Sequence, residues 1–101
     1  MTEISGELTM ERFSVEVNTK FQMQYGDAQS AELELISVTD LGSSARQTQF
    51  SAVFLGPEHA PIRQGIYAVT HKTLGGMNLF LVPIAKDHEG IRYEAIFNRF
   101  L

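Results

Sequence analysis

The stretch that decides the fold is Lys20-Phe21-Gln22-Met23-Gln24-Tyr25-Gly26-Asp27-Ala28-Gln29-Ser30-Ala31-Glu32-Leu33-Glu34-Leu35-Ile36-Ser37-Val38. Phe21, Met23 and Tyr25 alternate with polar residues, a period of two that belongs to a half-buried strand. Gly26 to Ser30 collects turn residues. Ala31, Leu33 and Leu35 then alternate with Glu32 and Glu34, after which Ile36 and Val38 carry the apolar set into the other phase. Such a slip predicts a bulge or bend partway along the second strand.

The same grammar extends outward. Leu41 to Arg46 reads as a loop, and Phe50, Ala52 and Phe54 as the inward set of a third strand. Gly56 to Gln64 holds Pro57 and Pro61, which forbid regular ladder pairing there. Three more strands follow, Ile66 to Lys72, Met77 to Ile84 and Ile91 to Asn98, separated by Leu74-Gly75-Gly76 and by Lys86-Asp87-His88-Glu89-Gly90. Upstream, Thr9 is placed to cap a short helical turn through Met10, Glu11, Arg12 and Phe13. Asn18 reads as a left-handed turn residue between that turn and the first strand.

Strands joined by short loops pair as antiparallel hairpins. Symmetric loop closure predicts rows of Phe21, Leu35 and Ala52, then Met23, Leu33 and Phe54, in a first meander. In a second meander it predicts rows of Tyr67, Val82 and Tyr93, then Val69, Phe80 and Ala95. The fold expected is mainly β: a six-stranded antiparallel small sandwich or partly open barrel made of two three-stranded meanders, with a short N-terminal helical turn. The 101 residues and 44% hydrophobic content fit one domain over 1–101.

The opposite faces of the meanders are also apolar. Leu79, Leu81, Ile96, Ile66 and Met77 form a strip on the second, and Ile36, Val38 and Val53 lie on the first. Such faces call for a second cover. The N-terminal Ile4, Leu8, Met10 and Phe13, together with the long loop from Gly56 to Gln64, are one candidate. The other is a subunit interface centred on Leu79, Leu81 and Ile96, with Phe100 beside it.

Composition narrows function by exclusion. No cysteine is present, so disulfides, thiol nucleophiles and thiolate zinc sites are absent. A net charge of −4 predicts no nucleic-acid partner. No apolar run suits a membrane span, and the acidic start Met1 to Glu7 lacks the pattern of a signal peptide, so a cytoplasmic location is expected. Residues 1–40 hold eight acids and two bases, whereas residues 41–101 hold four acids and six bases. That asymmetry is ordinary solvated surface or a device that orients neighbouring subunits.

No phosphate loop, dinucleotide fingerprint, nucleophile elbow or metal-binding helix occurs. Asp87-His88-Glu89-Gly90 and Glu58-His59 read as solvated loops, so no metal, no cofactor and no catalytic residue is assigned. His71 shares the inward phase of Tyr67 and Val69, with Asn78 as its expected hydrogen-bond partner. A buried structural histidine is preferred over a catalytic one.

One pattern runs through Leu33, Leu35, Val38, Asp40, Leu41 and Gly42, then Phe50, Phe54, Gly56 and Pro57. It continues with Gln64, Gly65, Tyr67, His71, Leu74 and Gly75, and ends with Leu79 to Ile84 and Tyr93 to Asn98. This pattern resembles a family of short bacterial all-β proteins catalogued as a domain of unknown function. Asn18 stands where the family often has Gly. The resemblance implies no activity and no catalytic residues; its link to phage-tail-like gene neighbourhoods implies particle assembly. A non-enzymatic assembly or protein-interaction module, as a homo-oligomer or with a protein partner, is therefore expected. The alternatives are a small-ligand-binding barrel lined by Tyr67, His71, Tyr93 and Phe97, or a small enzyme using His71.

Overall fold

The computed structural model describes residues 8–100. A five-residue helix α1 (Met10–Ser14) precedes six strands: β1 (Lys20–Gln24), β2 (Ser30–Ser43), β3 (Gln47–Gly56), β4 (Gly65–His71), β5 (Gly75–Asp87) and β6 (Gly90–Phe100). The Thr9 side chain caps α1 by accepting from the Arg12 backbone N–H at 3.2 Å. Asn18 has φ 75°, the left-handed turn expected of it.

All pairings are antiparallel, and the two meanders β1-β2-β3 and β4-β5-β6 form as expected. The phase slip in β2 is a bulge between Leu35 and Ser37. Beyond it, Val38 sits opposite buried Ala52 and packs against the core, so it does not belong to the outer face.

The expected fold class holds: a mainly β, six-stranded antiparallel, sandwich-like fold with a short N-terminal helical turn. The two meanders are also joined to each other. Here β3 also pairs with β6 from Gln47↔Phe100 to Gly56↔Ile91, and β1 pairs with β4 from Phe21↔His71 to Gln24↔Ala68. Hydrogen bonding therefore runs round a complete ring in the order β1-β2-β3-β6-β5-β4. The first expectation overturned is the β-barrel, the ligand container of the alternative reading, because side chains fill the interior. The inner faces press together as in a sandwich, filled by Phe21, Met23, Leu33, Leu35, Phe50, Phe54, Val69, Leu81, Ile91 and Tyr93.

Both ends of that interior are closed by side chains. At one end α1 inserts Phe13, fully buried, whose ring lies 5.0 Å from Phe97, 5.9 Å from Phe50 and 6.2 Å from Phe21. Phe13 thus fills the core rather than covering the outer face of the second meander. Leu8 and Met10 also pack against the core, and Ile4 lies outside the described residues. At the other end the segment between β3 and β4 crosses with Ala60 buried. The Tyr93 hydroxyl donates to the Pro61 carbonyl.

The second expectation overturned is the phase of β5. Tyr67 lies opposite Leu79 and Val69 opposite Met77, so Leu79 and Leu81 point inward, whereas Phe80 is exposed and Val82 is only half-buried. The turn after β4 decides this. His71 pairs with Gly75 across only three residues, Gly75 adopts φ 85°, and the odd difference from the assumed closure turns every β5 side chain over.

A close approach locks the far end. Gly90, at φ 135°, packs so tightly on Gly56 that an added Cβ would lie 1.9 Å from the Gly56 carbonyl oxygen. Only glycine meets both demands.

Candidate functional site

His71 is one of two buried polar side chains among the described residues, with Ser51 the other. The β1–β4 pairing sets it opposite Phe21, with ring centroids 4.2 Å apart. The left-handed turn at Asn18 then brings the preceding chain alongside, fixed by Asn18 N–H donating to the Leu35 carbonyl at 2.7 Å. That path delivers Thr19 and Glu16 to the imidazole: Nε2 lies 2.9 Å from Thr19 Oγ1 and 3.6 Å from Glu16 Oε1. Asn78, the partner expected from symmetric pairing, instead lies opposite Ala68 and is exposed.

The hydrogen bonds fix the tautomer. Nδ1 accepts from the backbone N–H groups of Thr73 and Leu74, at 3.0 and 3.1 Å. Thr19 Oγ1 donates to the Glu16 carbonyl at 2.6 Å, so its lone pair receives the ring Nε2–H. Neither ring nitrogen offers a free lone pair to a substrate. Nor is this a nucleophile–base–acid relay, because hydroxyl and carboxylate both address Nε2. Glu16, Thr19, Lys20, His71, Lys72 and Thr73 line a depression of about 400 Å³ outside the ring.

The four residues expected to line one ligand pocket are divided between two ends of the molecule. His71 and Phe97 belong to the phenylalanine cluster around Phe13, where Phe97 stacks on Phe50 at 4.6 Å. Tyr67 and Tyr93 belong to the opposite end, their hydroxyls donating to the carbonyls of Arg63 and Pro61. Burial pushes the Tyr93 phenol up to about 12 from its ordinary 10.0, with smaller contributions from Tyr67 and Tyr25. Tyr93 is wholly buried and Phe97 partly so. They are core packing.

The expected interface is redrawn. Leu79 and Leu81 are buried at 3% and 0% exposure, because of the reversed phase of β5. The outward residues are Ile66 at 74% exposure, Phe80 at 52%, Ile84 at 50% and Ile96 at 46%, with Phe100 exposed further along β6. Ile66 and Phe80 face one another across β4 and β5. Between Val82 and Val53 stands the half-buried Glu94, whose Oε2 accepts from the Ser51 hydroxyl at 2.7 Å. Sequence periodicity missed Phe80 for want of the turn geometry, and nothing local marked Thr19 or Glu16.

The β5–β6 turn is a self-satisfied charge cluster. Arg92 reaches Asp87 at 3.0 Å and Glu89 at 2.8 Å. The Asp87 carboxyl is held below the usual carboxylate range, first by the Glu89 backbone N–H and also by Arg92, against some desolvation. Among the described residues no group of three or more His, Asp or Glu is placed to hold a metal ion.

A family model described as a domain of unknown function (DUF6916) matches residues 8–97. No curated protein and no solved structure matches the chain.

Proposed function

Because the chain belongs to the DUF6916 family, a grouping that names no activity, we propose its role from geometry: a non-enzymatic protein-interaction or assembly module. The carrying observation is the outward stripe of Ile66, Phe80, Val82, Ile84 and Ile96 on a sheet whose inner face is already filled. Those side chains expose on the order of 500 Å² of apolar surface, the size at which a monomer's largest patch is often functional. With a polar rim, that area approaches the ~800 Å² per partner of a standard interface. The locked imidazole of His71 also favours a non-catalytic reading. The specific setting of a phage-tail-like particle rests on family resemblance alone.

The redrawn stripe dictates the experiment. Light scattering on the wild type, Phe80→Glu and Leu79→Glu separates surface from core. Self-association is expected at micromolar concentrations, and Phe80→Glu is expected to dissociate the assembly while keeping its β circular dichroism. Leu79→Glu, which buries a carboxylate, is expected to unfold the chain. A monomeric wild type removes the self-association form of this reading. A Phe80→Glu variant that associates like the wild type removes the stripe as its interface.

A further inference from the structure

The end of the ring opposite α1 carries a cleft of about 360 Å³ lined by Tyr25, Pro61, Arg63, Gln64, Gly65, Ile66 and Tyr67. We propose that this cleft is a binding site for a small planar monocarboxylate, an aryl ring bearing one anionic group.

Three observations support that chemistry. First, the walls are fixed. Tyr67 and Tyr93 donate their hydroxyls to two carbonyls of the crossing segment, Arg63 and Pro61, and so strap it over the end of the ring. Tyr25 and Tyr67 are each half-buried against the core, which limits their rotation. A preformed recess at the mouth of a closed strand ring is where small ligands commonly bind.

Second, the cleft holds one charged side chain. Arg63 is exposed, and among the described residues its guanidinium makes no ion pair or side-chain hydrogen bond. No acid lines the cleft. A planar guanidinium matches a carboxylate through two parallel N–H···O bonds. One unopposed cation balances a single negative charge and leaves a doubly charged phosphate half-neutralised.

Third, the remaining lining is mixed in polarity but includes the flat rings of Tyr25, Tyr67 and Pro61, surfaces on which an aromatic face can stack. The volume lies near the lower end of small-molecule sites, room for one ring and its carboxylate. This inference stands apart from the outward stripe, sharing only Ile66 at its edge.

The probe is benzoate, titrated into the ¹⁵N-labelled full chain while amide shifts are followed. Acetate supplies the charge without the ring, and benzyl alcohol the ring without the charge. Saturable shifts are expected at Tyr25, Gln64, Gly65 and Tyr67, with a dissociation constant in the millimolar range and at least tenfold weaker binding of either control. Arg63→Gln, at an exposed position, is expected to weaken benzoate about tenfold without altering the rest of the spectrum. The proposal is overturned if benzoate shifts no cleft amide at saturation, if acetate acts as strongly, or if Arg63→Gln binds like the wild type.

Discussion

Phe13→Ala is the sharpest test of how this fold is sealed. Phe13 is fully buried although it comes from a helix of only five residues, too short to hold itself in water. Its ring touches Phe21, Phe50 and Phe97, so truncation removes apolar burial and three aromatic contacts together. Large-to-small changes of this kind cost about 3–5 kcal/mol, the upper part applying where surroundings cannot collapse. Here collapse is resisted, because Phe21 and Phe50 sit on strands each paired on both sides. A domain of this size has roughly 5–15 kcal/mol in total, so the variant should lose a third or more of its stability. Urea unfolding read by circular dichroism measures it, with an unchanged slope showing that the denatured state is unaffected. Phe13→Leu, which keeps most of the volume, should lose less than half as much. A loss below about 1 kcal/mol for Phe13→Ala, within the range of ordinary substitutions, would refute the argument that α1 plugs the interior.

Gly90→Ala should prevent folding or cost more than about 4 kcal/mol, since it adds a clash with the Gly56 carbonyl to an unfavourable φ; a folded variant near wild-type stability sinks that reading. His71→Ala leaves the Thr73 and Leu74 N–H groups without their acceptor and should cost about 1–3 kcal/mol. Amide exchange at those two positions should quicken, and unchanged protection there would show that the imidazole is not their partner. Tyr93 gives a pH prediction. The folded state keeps its phenolic proton up to about 12, against 10.0 when unfolded, so this contribution to stability is complete below 10 and is lost as pH rises through about 12. Alkaline titration of phenolate absorbance should show a late component that Tyr93→Phe removes, and its absence contradicts the assigned burial.

What the sequence disclosed was whatever is local. Alternation marked Phe21, Met23, Leu33, Leu35, Phe50 and Phe54 as inward, and all are buried. The slip at Ile36 and Val38 marked the β2 bulge, and Asn18 marked a positive φ. The phase of β5 was not legible, because Leu79-Phe80-Leu81-Val82 is apolar on both faces and reads equally well either way up. Only the count of residues in the turn after His71 settles it. The contacts of Thr19 and Glu16 with His71 were hidden for a different reason. They depend on β1 meeting β4, a pairing between residues 44 to 50 apart that leaves no trace in either segment.

The ring closure has a consequence for how the molecule comes undone. A sheet with no free edge offers no template for a foreign strand, so backbone-directed aggregation must wait for one pairing to part. The pairings are unequal. Four residue pairs join β1 to β4, whereas ten join β3 to β6. The β1–β4 junction is thus the weakest stave, and its parting alone would bare the backbone of Phe21 to Gln24 and of Ala68 to His71 while the other five pairings hold. Native-state hydrogen exchange should find that junction opening well below the free energy of global unfolding. The imidazole bound to Thr19 lies at one end of it, so the bond between His71 and Thr19 also serves as a latch on the pairing whose loss would most readily turn a closed protein into an adhesive one.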